Sequence, residues 1–186
     1  MTESRPVLLA MDFQHGIAEH YAGTGVLEAA RAAVEAARAA GIPVFWIRVA
    51  FRPGYPETAS HPSFSAISAN YGDAMVETHP AAQVHAALEP LEGEAIVTKR
   101  RVSAFSGSDL DVLLRAARAD TLVLAGIATS GVVLSTLRQA SDLDYRLVVL
   151  ADACADADPE VHRVLTEKVF PRQALVTTVA DWTETL

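Results

Sequence analysis

Short runs of continuous apolar residues alternate along this chain with longer stretches in which apolar positions recur at helical spacing. Residues 7–13 form the first apolar run, broken only by Asp12, and read as a buried strand ending on a carboxylate. Residues 26–40 carry Leu27, Ala30, Val34 and Ala37 on one stripe, with Gly41 placed to stop a helix. After Pro43 a second strand covers 44–49. Residues 51–80 mix Pro, Ser, His and Gly with weak periodicity, which predicts a long irregular segment holding at most a short helix. A strand over 94–99 and a helix over 109–119, with Leu110, Leu113 and Leu114 inward, come next. The remainder predicts a strand over 121–127, a helix over 131–142, a strand over 146–150 running on to Asp152, a helix over 159–169 and a last strand over 174–178.

Six strands separated by helices predict a three-layer α/β/α sandwich around a mostly parallel sheet. With 186 residues, 51% of them hydrophobic, the chain can bury one sizeable core, so residues 1–186 are expected to form a single domain. The net charge of -8 argues against a nucleic-acid partner, because phosphate contacts need clustered Lys and Arg. Lys99-Arg100-Arg101 is the one basic cluster, and its size suits a small anion rather than a polymer. The sole cysteine, Cys154, rules out an internal disulfide and fits a reducing compartment, so a cytoplasmic location is expected. The N-terminus lacks the pattern of a secretory signal, and no apolar run approaches the ~20 residues that span a bilayer. A membrane partner is therefore not expected.

Asp12 closes the first strand in Leu9-Ala-Met-Asp12-Phe-Gln14. A carboxylate at that place faces the crevice where open α/β sheets bind ligands, and partial enclosure suits it to general acid or base work. It is equally placed to cap a turn or pair with a lysine. Lys99 ends another strand, where a lysine can orient a substrate oxygen or lie along the sheet edge with its tip in water.

Three segments in order resemble the motifs of the isochorismatase-like cysteine hydrolases. The first is Asp12-Phe-Gln14, similar to a strand ending in Asp-x-Gln. The second runs from Lys99 through Ser103-Ala-Phe105-Ser-Gly107 to Leu110, similar to Lys-x-x-x-Ser-Ala-Phe-x-Gly-Thr-x-Leu. The third is Gly126-Ile-Ala-Thr-Ser-Gly-Val132-Val133, similar to Gly-Val-Ala-Thr-Asp-x-Cys-Val. Valine stands where that family has its nucleophilic cysteine.

The resemblance implies that the strand order brings Lys99 beside Asp12. It also implies a cis peptide between Ile127 and Ala128, an oxyanion hole made by the N–H groups of Ala128 and Val132, and substrate contacts from Gln14, Phe105, Ala128 and Ser130. Phe105 suits core packing as well, and Ser130 suits a helix N-cap. Metal-binding relatives place Asp-x-His after the second strand, but this chain has Arg48-Val-Ala-Phe-Arg52, and His61, His79, His85 and His162 lack ligand spacing. No metal and no cofactor are therefore expected. Arg48 or Arg52 can hold a substrate carboxylate or form a salt bridge at the sheet edge. Cys154 reads as a small buried hydrophobe, and Asp152 as a strand-end carboxylate open to either a structural or a site role. A homo-oligomer, dimer or tetramer, is implied by the resemblance.

Three functions follow from Val132. The first is a cysteine-independent hydrolase or lyase of a small anionic metabolite, using Asp12 for acid–base chemistry and Lys99 for orientation. The second is an amide hydrolase with a substitute nucleophile such as Ser130, and the third is a non-catalytic binding or oligomerisation module.

Overall fold

The apolar runs assemble into one sheet. The computed structural model describes residues 4–58 and 62–186, and His61 lies outside the described residues. Strands β1 (Pro6–Met11), β2 (Val44–Val49), β3 (Ala95–Lys99), β4 (Thr121–Ile127), β5 (Arg146–Ala155) and β6 (Leu175–Thr177) pair in the order β3-β2-β1-β4-β5-β6, every pair parallel. The chain moves outward from β1 to β3, then restarts at β4 on the other side of β1. Side chains at the C-terminal ends of β1 and β4 therefore border the crevice at the switch point, where such sheets bind ligands.

Helices α1 (His15–Ala18), α2 (Val26–Ala39), α3 (Pro62–Tyr71), α4 (Leu110–Ala116), α5 (Leu134–Asp142), α6 (Pro159–Val164) and α7 (Val179–Thr183) connect and cover the strands. The period of two divides β1 cleanly. Leu8 and Ala10 join one core with Val34 and Ala37 of α2 and Trp182 of α7, whereas Val7, Leu9 and Met11 join the other with Leu110 and Leu114 of α4, Leu137 of α5 and Phe170. These two cores and the sheet between them give the three layers expected. Among the described residues, no helix is long and apolar enough to cross a membrane.

The structure departs from the sequence expectation in five places. β5 does not stop near Leu150 but continues to Ala155, because its pairing with β4 jumps from Leu124↔Val149 to Gly126↔Cys154 and absorbs the intervening residues in a bulge. The helix expected over 131–142 starts as a π-turn over Thr129–Val133 and becomes α-helical at Leu134, and the helix expected over 159–169 likewise passes into a π-turn over Leu165–Val169. α1, extended by a 3-10 turn over Glu19–Tyr21, was not expected. Neither was α7, although Thr178 and Asp181 have the spacing of a capping box and the Asp181 N–H does donate to Thr178 Oγ1 at 3.1 Å.

Candidate active site

Asp12 is the first residue past β1, with a left-handed backbone (φ 59) and its N–H donated to Ile47 O of β2 at 2.8 Å. The chain turns here, aiming the side chain back over the strand ends. Lys99 ends β3, on the same face of that strand as buried Val97 and opposite Thr98. β1 and β3 are two strand spacings apart, roughly 10 Å, because β2 lies between them. The four-carbon stem of lysine crosses that gap and brings Nζ to 2.9 Å from Asp12 Oδ2 and 3.0 Å from Arg101 O. The two side chains are only 7% and 3% exposed.

Among the described residues, Asp12 Oδ1 has no hydrogen-bond partner although it is buried. Burial raises the Asp12 pKa above the ordinary carboxylate value, with the Lys99 ammonium acting in the opposite direction. The result is a carboxyl group with one oxygen tied to a cation and one uncommitted, which holds its proton more readily than an ordinary aspartate does.

β4 delivers the third motif beside this pair. At Gly126 the strand approaches β1 so closely that a Cβ there would lie 2.8 Å from Met11 O. The Ile127–Ala128 peptide is cis, as the resemblance implies. Ala128 O then accepts from Gly131 N at 3.1 Å and Val133 N at 3.3 Å. Ala128 packs on the α2 core and Val132 on the α4/α5 core, so the turn straddles the end of the sheet. Val132 is 2% exposed and shares its core with Met11 and Phe105. Phe105 also faces Tyr145, with ring centroids 6.4 Å apart, and is engaged in packing.

Other expected site residues are committed within the fold. Gln14 Nε2 donates to Val49 O at 2.9 Å and Ala82 O at 3.0 Å, while its Oε1 accepts from Val49 N at 2.8 Å. It brackets the end of β2 to the segment around Ala82 rather than presenting its amide to the crevice. Arg48 donates to Thr98 Oγ1 at 3.0 Å and to Gln83 Oε1 at 2.6 Å, and Arg52 pairs with Glu57 at 2.5 Å. The salt-bridge reading thus describes Arg52, and a structural tie describes Arg48. Asp152 accepts from Val179 N at 2.9 Å and caps the entry to α7. His79 and His85 each accept a backbone N–H at Nδ1, from Ala81 at 3.1 Å and Ala87 at 3.2 Å, which makes them turn caps. Among the described residues, no group of three or more His, Cys, Asp or Glu could hold a metal ion.

Ser130 is exposed, and its backbone N–H donates to Asp156 Oδ2 at 2.7 Å. The imidazole next to the turn, His162, is bonded to Thr129 instead, with Nδ1 2.8 Å from Oγ1. Sequence reasoning considered His162 only as a metal ligand and passed over Asp156. Neither could be found from local pattern, because their contacts join residues 33 and 26 positions apart. Cys154 is 5% exposed, and burial pushes its thiol up to about 12, so it is no displaced nucleophile. A surface cleft of about 850 Å³ is lined by Arg52, Glu57, Thr98, Arg100, Arg101 and Ser108 among others, and neither Asp12 nor Lys99 opens onto it.

An isochorismatase domain model matches residues 6–181. An uncharacterized isochorismatase family protein of Escherichia coli O157:H7, YecD, is 35% identical over 94% of this chain and 92% of its own length. The ureidoacrylate amidohydrolase RutB of Methylobacterium radiotolerans is 39% identical over 76% of this chain but only 60% of its own length. Among solved structures, an isochorismatase family protein from Burkholderia thailandensis superposes with a TM-score of 0.84 at 28% identity, covering 100% of this chain and 97% of the other. With the domain model matched along nearly its whole length, this chain belongs to the isochorismatase family.

Proposed function

We propose that this protein is a hydrolase, or a lyase, of a small anionic metabolite and works without a cysteine nucleophile, using Asp12 as general acid and base and Lys99 to orient the substrate. The observation that carries this reading is the enclosed Asp12–Lys99 pair with Asp12 Oδ1 uncommitted. A carboxyl whose pKa burial has raised keeps its proton closer to neutrality, and it releases that proton most readily to an acceptor placed against it in a dry site. Proton donation leaves a carboxylate, and the Lys99 ammonium at 2.9 Å stabilises it. Water adds to the activated substrate carbon and its proton returns to Asp12; the adduct then collapses, its hydroxyl proton passing to the departing oxygen as the carbon–oxygen bond breaks, so the acid is restored at the end of each cycle. Lys99 also neutralises a substrate oxygen on approach. The amidohydrolase relative supports hydrolysis as the reaction class.

A second reading is favoured by Val132, an inert side chain that is 2% exposed near the end of the turn, just before α5. On that reading the chain is a non-catalytic family member that binds a ligand or self-associates. Both readings include a homo-oligomeric, cytoplasmic protein, which light scattering and cell fractionation test.

The deciding experiment screens small carboxylates, including vinyl ethers and ureido or carbamoyl acids, and compares Asp12→Asn with the parent on whichever is turned over. Loss of turnover by two or more orders of magnitude is expected, in line with removal of a general acid. Unchanged turnover would make the Asp/Lys mechanism untenable, and no turnover of any compound would favour the second reading. Val132→Cys is the companion variant. Amide hydrolysis gained there and absent in the parent would identify the site as still built for acyl transfer.

A further inference from the structure

The turn that follows the cis peptide is held from outside by two residues to which the reading above gives no role. Asp156, just past β5, accepts the Ser130 N–H at 2.7 Å. His162, on α6, meets Thr129 at 2.8 Å. Thr129 is fully buried, and this imidazole is the one partner of its hydroxyl among the described residues. A buried O–H needs an acceptor. If His162 Nδ1 carried a hydrogen, as in the imidazolium or the other neutral tautomer, that hydrogen would have to point at Thr129 Oγ1. The Thr129 proton would then be left without an acceptor inside the protein. Only the neutral ring with its hydrogen on Nε2 satisfies both partners.

We propose that His162 is a positioning residue for the candidate site: its neutral imidazole, accepting the Thr129 hydroxyl proton at Nδ1, fixes the turn from Ala128 to Val132 against the end of β1 that carries Asp12. The importance of this turn to catalysis rests on the Asp/Lys reading, whereas the hydrogen-bond lock stands on geometry alone. Asp156 supplies a second fixed point one residue along, so the turn is held by a side-chain bond at Thr129 and a main-chain bond at Ser130. Together they tie β4 to the β5–α6 connection.

Protonation of His162 would undo one of the two ties. The charged group facing the ring from another element is Asp156, which favours the imidazolium. On its own helix Arg163 is paired with Glu160 and Glu167, and Asp158 caps the Glu160 N–H. Burial of the ring opposes Asp156 and sets the net direction, lowering the His162 pKa from its ordinary value. The lock is therefore closed at neutral pH and opens on acidification, which makes the geometry of the turn sensitive to pH through a residue that does not touch substrate.

The experiment is a pH titration from 8 to 5 of the full chain labelled with ¹⁵N, following the histidine ring nitrogens and the backbone amides of Thr129, Ser130 and Gly131. His162 is expected to show the Nε2–H tautomer at high pH, with the three amides shifting at the His162 midpoint. His162→Asn supplies a neutral acceptor that does not titrate, and it should leave a folded protein whose turn amides no longer respond over that range. Thr129→Val deletes the donor that favours the neutral ring, and it should raise the His162 midpoint by about one pH unit. The Nδ1–H tautomer, turn amides that ignore His162, or an unchanged response in His162→Asn would each overturn the proposal. None of these readouts uses a substrate, so a failure of the Asp12→Asn test leaves them intact. With a substrate in hand, the acid limb of kcat should follow the His162 midpoint and vanish in His162→Asn.

Discussion

Lys99 Nζ lies 2.9 Å from Asp12 Oδ2 although their strands are not neighbours, and both side chains are withdrawn from solvent. The pair is the structural basis of the acid–base reading. It is also a weakness in the fold, since each charge depends on the other for compensation.

Lys99→Met is expected to destabilise the protein at neutral pH by about 3 kcal/mol, because an ionised buried carboxylate loses its partner. Its effect should depend on pH. Burial already raises the Asp12 pKa and Lys99 opposes that rise, so removing Lys99 should move the pKa further up. A carboxyl whose folded-state pKa exceeds its unfolded value of 3.8 favours folding at acid pH, and that contribution disappears as pH rises through the folded pKa. The urea midpoint of Lys99→Met should therefore fall with rising pH over a wider interval than that of the parent. Parallel pH profiles for the two proteins would show that Lys99 does not control Asp12.

Gly126→Ala is expected to cost about 1–3 kcal/mol and to displace Asp12. The added Cβ would lie 2.8 Å from Met11 O and 2.9 Å from Met11 Cβ, and Met11 is the residue that precedes Asp12. Relief requires β4 to move away from β1, and the Asp12 backbone moves with it. Denaturant unfolding gives the first quantity. The carboxyl carbon shift of Asp12 gives the second, and an unshifted signal would mean that the strands separate without disturbing the site.

These expectations show what the sequence could and could not reveal. The strands and the place of Asp12 were legible, because continuous apolar runs ending in a polar residue mark buried parallel strands. The meeting of Asp12 with Lys99 was not visible in local pattern and came from family resemblance, since it depends on β2 lying between β1 and β3. The hydrogen bonds of Gln14 and Arg48 within the fold were not legible either. A polar residue near a strand end looks the same in sequence whether it faces a ligand or, like Gln14, satisfies main-chain groups 35 and 68 residues away. The extension of β5 was missed because Asp152 interrupts its apolar pattern, yet a bulge keeps the strand paired with β4 beyond it, at Cys154 and Ala155.

Cys154 is expected to be chemically silent in the folded protein. The thiolate is the reactive form, and burial holds the thiol at a pKa of about 12. Iodoacetamide at pH 8 should modify the native protein negligibly and the denatured protein stoichiometrically. Fast alkylation of the native chain accompanied by loss of turnover would reopen Cys154 as a functional group.

Gln14→Glu separates a structural bracket from a substrate contact. Gln14 is 1% exposed, and its Nε2 faces the carbonyl oxygens of Val49 and Ala82 at 2.9 and 3.0 Å. A carboxylate in that place would set an anion against two acceptors, while the protonated acid could still donate to one of them. The variant is expected to lose about 2–4 kcal/mol at neutral pH, from two unsatisfied buried acceptors and the cost of the charge. Because the new carboxyl would be stable in the fold mainly as the acid, its pKa should rise, and part of the loss should be recovered between pH 7 and 5. A residue whose only task was to contact substrate would give a different result: unchanged unfolding at every pH and a higher KM. Unfolding curves at the two pH values distinguish the cases before any substrate is known, and an unperturbed midpoint would return Gln14 to the substrate side of the site.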